Sequence, residues 1–193
     1  MPQFQWVLAV IGMMIGLGIA RILTCLAAVV RSRNVSRPDW ISLVWAASIF
    51  IMELDLWWSL HDAVAAVKEW TFAVFLMLLI QPLLIFFAAV LVLPSTELKI
   101  GENYRELYDR HGHWALLAIS GYFLEMLVEN ALYWEITPDG WTAIVPVTLA
   151  VLPMAAFFSP RRIHGVIALV YFIICVTFIF VDPNAWIEVH DMH

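Results

Sequence analysis

Apolar residues fall along this chain in six long blocks separated by short polar connections. A hydrocarbon core of roughly 30 Å takes about 20 helical residues to cross. The blocks meet or nearly meet that length, and they run Trp6–Val30, Trp40–His61, Trp70–Leu93, His113–Trp134, Trp141–Phe158 and Ile163–Val181. Pro38, Pro94, Pro138, Pro160 and Pro183 fall in the connections, where a missing N–H is harmless. Pro82, Pro146 and Pro153 fall inside blocks, which a membrane helix tolerates when neighbours satisfy the freed carbonyls. The pattern predicts an all-α integral membrane bundle of six transmembrane helices, a single domain over residues 1–193.

The longest connection, Pro94–Gly112, has a pattern of its own. Tyr104, Leu107, Tyr108 and His111 recur at i, i+3, i+4 and i+7, with Glu102, Arg105, Glu106, Asp109 and Arg110 between them. That spacing predicts a short amphipathic helix lying on the cytoplasmic leaflet, as an anchor or as a docking surface for a partner.

Charge gives the direction of threading. The connections after the first, third and fifth blocks carry Arg31, Arg33, Arg37, Lys99, Arg105, Arg110, Arg161 and Arg162, whereas the opposite side carries Lys68 alone. By the positive-inside rule, both termini should lie on the non-cytoplasmic side of the cell membrane. Tryptophans support the same layout: Trp6, Trp57, Trp58, Trp70, Trp134, Trp141 and Trp186 gather at one interface, and Trp40 and Trp114 at the other. The first block has no basic residue before Arg21 and too long an apolar run for a cleaved signal peptide. Pro38-Asp39-Trp40 and Pro138-Asp139-Gly140-Trp141 open the middle helix of each three-helix half, an echo compatible with inverted repeats or with ordinary helix-start chemistry.

Composition sharpens the exclusions. The chain is 63% hydrophobic and 13% charged, against about 25% charged in soluble domains. A net charge of −6 argues against nucleic acid as a partner. Cys25 and Cys175 lie in apolar blocks at different depths, as buried thiols and not a bridge. No phosphate-binding glycine loop, nucleophile elbow or zinc-protease motif occurs, so no enzyme activity, cofactor or metal is expected. His113 and His164, at similar depth, leave room for one alternative, a haem- or metal-binding redox subunit. The tail residues His190, Asp191 and His193 are too loosely spaced to define a metal site.

The informative residues are ionisable ones at membrane depth: Arg21, Glu53, Asp55, Glu125 and Glu129. Each costs about 2.5–3.5 kcal/mol at a helix centre on insertion scales. Counting helical rise from the span midpoints puts Arg21 roughly 4 Å to the cytoplasmic side, Glu125 ~2 Å to the outer side and Glu53 ~4 Å to the outer side. Glu125 is therefore the expected partner of Arg21. Glu125 and Glu129, at i and i+4, share a helix face that Tyr122 and Tyr133 extend, with Asn130 beside it. Two carboxylates on adjacent turns repel, so the pair should hold a proton or a cation. Glu53 and Asp55 are about 200° apart around their helix and should meet different neighbours. Asp55, Ser59 and Asp62, with His61, form a stripe toward the outer surface, and Gln81 at the middle of the third block needs a partner. Gly12, Gly16 and Ala20 form a small-residue stripe suited to helix packing within the bundle or across a dimer seam.

These residues point to a proton or small-cation channel or transporter, with pH gating as a corollary and a homo-oligomer as the expected assembly. The competing reading is a non-catalytic membrane subunit whose buried charges specify assembly with a membrane or cytoplasmic partner.

Overall fold

The computed structural model describes residues 2–67, 70–98, 101–132 and 141–181, and every regular element among them is helical. The helices are α1 (Pro2–Arg31), α2 (Trp40–Ala66), α3 (Phe72–Val92), α4 (Tyr104–Arg110), α5 (Ala115–Leu132), α6 (Trp141–Phe158) and α7 (Arg161–Val181). Six of the seven coincide with the apolar blocks, and α4 with the amphipathic connection. Four of them, α1, α2, α3 and α7, contain stretches long and apolar enough to cross a membrane. In α6 the apolar stretch Ile144–Phe158 is shorter.

Local chemistry starts these helices. Asp39 caps α2 by accepting from the Ser42 N–H at 3.2 Å, and Thr71 caps α3 by accepting from the Val74 N–H at 3.2 Å. Asn103 caps α4 in the same manner, from the Arg105 N–H at 3.0 Å. Pro82 sits buried within α3, where its missing N–H leaves the Leu78 carbonyl without its helical donor.

The long helices neighbour one another in a closed ring, α1–α3–α5–α6–α7–α2, and α2 also touches α3 across it. The interior is apolar, built on residues such as Ile15, Ile22, Trp45, Ile49, Ile85, Ile119, Leu149 and Tyr171. Polar groups are also inside, namely Ser48, Glu53, Ser120, Glu129 and His164, while Met13, Leu17, Phe87, Ile144, Val166 and Ile173 point outward. Polar residues within and large apolar ones on the outer surface are the reverse of a water-soluble domain, and they suit a membrane setting.

Two expectations about packing change here. The amphipathic segment does not lie free on a leaflet, because Tyr104 and Tyr108 of α4 are buried against the ends of the long helices. An amphipathic stripe looks the same whether protein or lipid covers it, and here protein does. The stripe Gly12, Gly16 and Ala20 faces outward, and a β-carbon built at Gly12 or Gly16 would meet nothing within 4 Å, so of its two expected uses the packing within the bundle is not made. The close approach in α1 is instead at Gly18, where a β-carbon would overlap the Glu53 carboxyl of α2. Cys25 and Cys175 are both buried free thiols.

Candidate functional site

The acidic residues of the bundle separate into two places. On α5, Glu125 and Glu129 stand one turn apart and face α3, whose Gln81 projects from the position before Pro82. The Gln81 amide donates from Nε2 to Oε2 of Glu129 at 3.0 Å. It is also in hydrogen-bonding reach of Glu125, and a primary amide has the two N–H donors needed to serve both. The other Glu125 oxygen, Oε2, is buried with no hydrogen-bond partner. One turn earlier on the same face, Tyr122 is buried and in electrostatic reach of Glu125 and Glu129, of Asp55 on α2 and of Cys175 on α7. The polar contact itself joins α3 and α5, and α2 and α7 bring Asp55 and Cys175 within electrostatic reach of it through Tyr122.

Glu53 lies elsewhere. It is 0% exposed, rests against Gly18 in the α1–α2 seam, and neither of its oxygens has a hydrogen-bond partner. The roughly 200° between Glu53 and Asp55 therefore sends one toward α1 and the other toward Tyr122 and Cys175. Ser59 is exposed and bonds back to the Leu56 carbonyl at 3.3 Å. His61 is exposed, and Asn130 is half-buried beside Glu129 in sequence. The Asp62 side chain and all of Tyr133 lie outside the described residues, as do the connection 133–140 and the tail 182–193.

Arg21 does not meet Glu125. Its Nη2 donates to the Val90 carbonyl at 3.2 Å, in the last turn of α3. The reason is the end of a helix: the last four carbonyls of α3 lack intrahelical donors and form the negative end of its dipole, a natural seat for a guanidinium. Val90 lies nine residues, about 13 Å of helix, from Gln81, the neighbour of Glu125 and Glu129, so Arg21 stands further from these acids along the bundle than the depth count predicts. The side chain walls a cavity of about 220 Å³ with the end of α3 and with Tyr104, Leu107 and Tyr108 of α4. Its Nε is buried without a partner.

A second cluster, at the end of the bundle where α2 and α7 begin, escaped sequence reasoning. Arg161 opens α7 and donates from Nη2 to Asp39, the cap of α2, and from Nη1 to Asp109 on α4. One arginine therefore ties three helices together. Beneath it, the Trp45 indole N–H donates to Nε2 of His164 at 3.1 Å, and the Tyr108 hydroxyl lies 3.0 Å from the same nitrogen. Indole nitrogen can only donate, so Nε2 is the unprotonated nitrogen and the His164 proton is on Nδ1. Tyr108, outside the long helices, is pushed above the ordinary phenol range by burial first and then by Asp39, against the opposing pull of Arg161. Its hydroxyl is accordingly a proton donor at neutral pH. The contact of Tyr108 with His164 spans 56 positions of sequence and that of Arg161 with Asp39 spans 122, and no local signal announces them.

This cluster also bears on the histidine pair. His113 Nδ1 lies 3.4 Å from the Tyr108 carbonyl, so His113 and His164 both engage Tyr108. Binding haem through His164 Nε2 would require giving up both of its hydrogen bonds. Among the described residues, no group of three or more His, Cys, Asp or Glu is arranged to hold a metal ion. No protein family, no curated protein and no solved structure matches this chain.

Proposed function

We propose that this chain crosses the cell membrane six times with both termini on the non-cytoplasmic side, and that it moves protons or small cations across it. The topology rests on the charge asymmetry of the connections and on the closed ring, in which α5 and α6 stand beside the four longer apolar helices. Helices that share one ring share one layer of membrane, and 18 residues of α5 or α6 extend about 27 Å.

The observation that carries the functional reading is the Gln81 amide set between Glu125 and Glu129 with one Glu125 oxygen left buried and without a partner. An acid at membrane depth is a costly choice where a neutral side chain would pack as well. Two acids around one amide form a place where a proton or cation is held and passed on. Glu125 and Glu129 are the exchanging groups, Tyr122 bridges them toward Asp55, and Asp55 leads to the outer side. Glu53 is a second protonatable group in the α1–α2 seam. Arg21, fixed at the end of α3, supplies positive potential at the other end of the path and opposes free passage of cations. Because the charge of the path changes with protonation, flux should depend on pH.

Purified protein in liposomes carrying an internal pH dye, under an imposed pH gradient, tests this directly. Wild type should dissipate the gradient, and Glu125→Gln/Glu129→Gln should fall to the rate of protein-free vesicles. Equal leak from the two proteins would sink the transport reading and leave assembly with a partner as the role of the buried acids.

A further inference from the structure

The end of the bundle that carries Arg161 holds an open cleft of about 420 Å³ between α2, α4 and α7, with Arg105, Arg161 and Arg162 on its rim. The charge of Arg161 is answered by Asp39 and Asp109, and the remaining oxygen of Asp39 accepts from the Ser42 N–H. Arg105 and Arg162 are exposed and belong to none of the ion pairs among the described residues. Arg105 and Arg162 thus bring the cleft two positive charges that no ion pair holds, and with Arg161, Asp39 and Asp109 the group has a net charge of +1.

Its floor is of the opposite character. Val166 and Leu169 line it, both exposed, and Ile173 continues the same outward stripe of α7 at i+7. Trp40 forms a side wall, seated so closely on Gly165 that a β-carbon there would lie 2.8 Å from the indole ring. Two guanidiniums lining one cleft with an apolar strip and a half-exposed tryptophan match a molecule with an anionic head and a hydrocarbon chain. We propose that this cleft binds one anionic phospholipid, its phosphate held between Arg105 and Arg162 and one acyl chain lying along Val166, Leu169 and Ile173. Basic pockets between membrane helices recognise such head groups, and guanidinium forks suit phosphate oxygens. A free phosphate would satisfy the arginines equally but would leave the apolar strip uncovered. The inference is independent of whether the chain conducts.

Native mass spectrometry of the detergent-solubilised protein, titrated with dioleoyl phosphatidylglycerol or dioleoyl phosphatidylcholine, tests the proposal. Wild type should take up its first phosphatidylglycerol at about thirtyfold lower concentration than phosphatidylcholine, the preference that two arginines near a membrane surface supply. Arg105→Gln/Arg162→Gln should bind the two lipids alike, with phosphatidylcholine uptake and helical circular dichroism unchanged. Arg105→Lys/Arg162→Lys, which keeps the charge, should retain most of the preference. Val166→Ser/Leu169→Ser should weaken uptake of phosphatidylglycerol. Equal uptake of the two lipids by wild type, or a preference that survives the glutamine pair, overturns the proposal. Displacement of the lipid by inorganic phosphate at equal concentration overturns it too, in favour of a site for the free anion.

Discussion

The two polar clusters of this bundle are built on opposite principles. Where α2 and α7 begin, Arg161 is matched by two carboxylates, and the buried nitrogen of His164 is met by Trp45 and Tyr108. In the middle of the bundle, Glu125 faces another acid and an amide, and takes part in no ion pair among the described residues. Matched groups in a low-dielectric interior hold elements in register, and removing one partner strands the other. Acids set beside acids do the reverse: they keep a site whose charge can change. On the proposed reading the first cluster holds the fold and the second is the one available for chemistry, so substitutions at each should have effects of different kind.

The largest loss of stability should come from Arg161→Gln. Asp39 is 8% exposed at its side chain and Arg161 22%, so the substitution leaves a mostly buried carboxylate without its counter-charge, at a cost of about 3 kcal/mol. Asp109→Asn should cost far less, because that side chain is half exposed and exposed pairs contribute about 0–1 kcal/mol. Denaturant unfolding in detergent, followed by circular dichroism, separates the two. Limited proteolysis around α4 should show the segment released in Arg161→Gln and retained in Asp109→Asn. Equal losses would mean that Asp39 is not the buried anchor.

Glu125→Gln should move stability the other way. The neutral amide removes repulsion from Glu129, so the variant should unfold no more easily than wild type while proton flux is lost. A drop as large as that of Arg161→Gln would place Glu125 among the groups that hold the fold.

Tyr108→Phe is next in size. It removes one of the two donors to His164 and should cost about 1 kcal/mol. The phenol ordinarily titrates near 10.0, and burial pushes it up in the folded chain. Above that pH the unfolded chain binds fewer protons at this position than the folded one, so stability falls as pH rises. The contribution is fully present below pH 10 and is lost on going above it. Melting curves between pH 9 and 11 should therefore fall more steeply for wild type than for Tyr108→Phe, and parallel curves would show that Tyr108 is not held this way.

How far the amino-acid order revealed these clusters depended on what each required. Helix positions were legible because run length and proline placement are local properties: α2 begins at Trp40 behind the cap Asp39, as the Pro38-Asp39-Trp40 pattern requires. The shared face of Glu125 and Glu129 follows from helical periodicity alone. The azimuth of each helix within the ring was not legible. Relative heights were only coarsely legible from counting residues: Arg21 meets a backbone carbonyl in the last turn of α3, nine residues along from the Gln81 that meets the acids of α5, and carbonyls carry no mark in a sequence. The tie of α4 to α2 and α7 was hidden for a related reason. Its residues are each ordinary for their place (a helix cap, an interfacial arginine, an amphipathic tyrosine), and only the tertiary arrangement makes them one unit.

A loss of stability smaller than that of Tyr108→Phe should come from Gln81→Leu, and it is the most discriminating substitution. The amide donates to Glu129 across the α3–α5 seam at 3.0 Å. Hydrogen bonds between membrane helices average about 0.6 kcal/mol, so the loss in an unfolding experiment should be of that order, well below that of Arg161→Gln. Flux should nevertheless change strongly, since Gln81 donates to Glu129 and lies in reach of Glu125, and leucine offers neither a donor. Gln81→Glu would put a third carboxyl at the same place and should shift the pH at which flux is half-maximal, with little change in unfolding. A Gln81→Leu protein that loses several kcal/mol of stability while conducting normally would invert the contrast: the mid-bundle seam would then be the structural tie, and the site of exchange would have to be sought at Glu53.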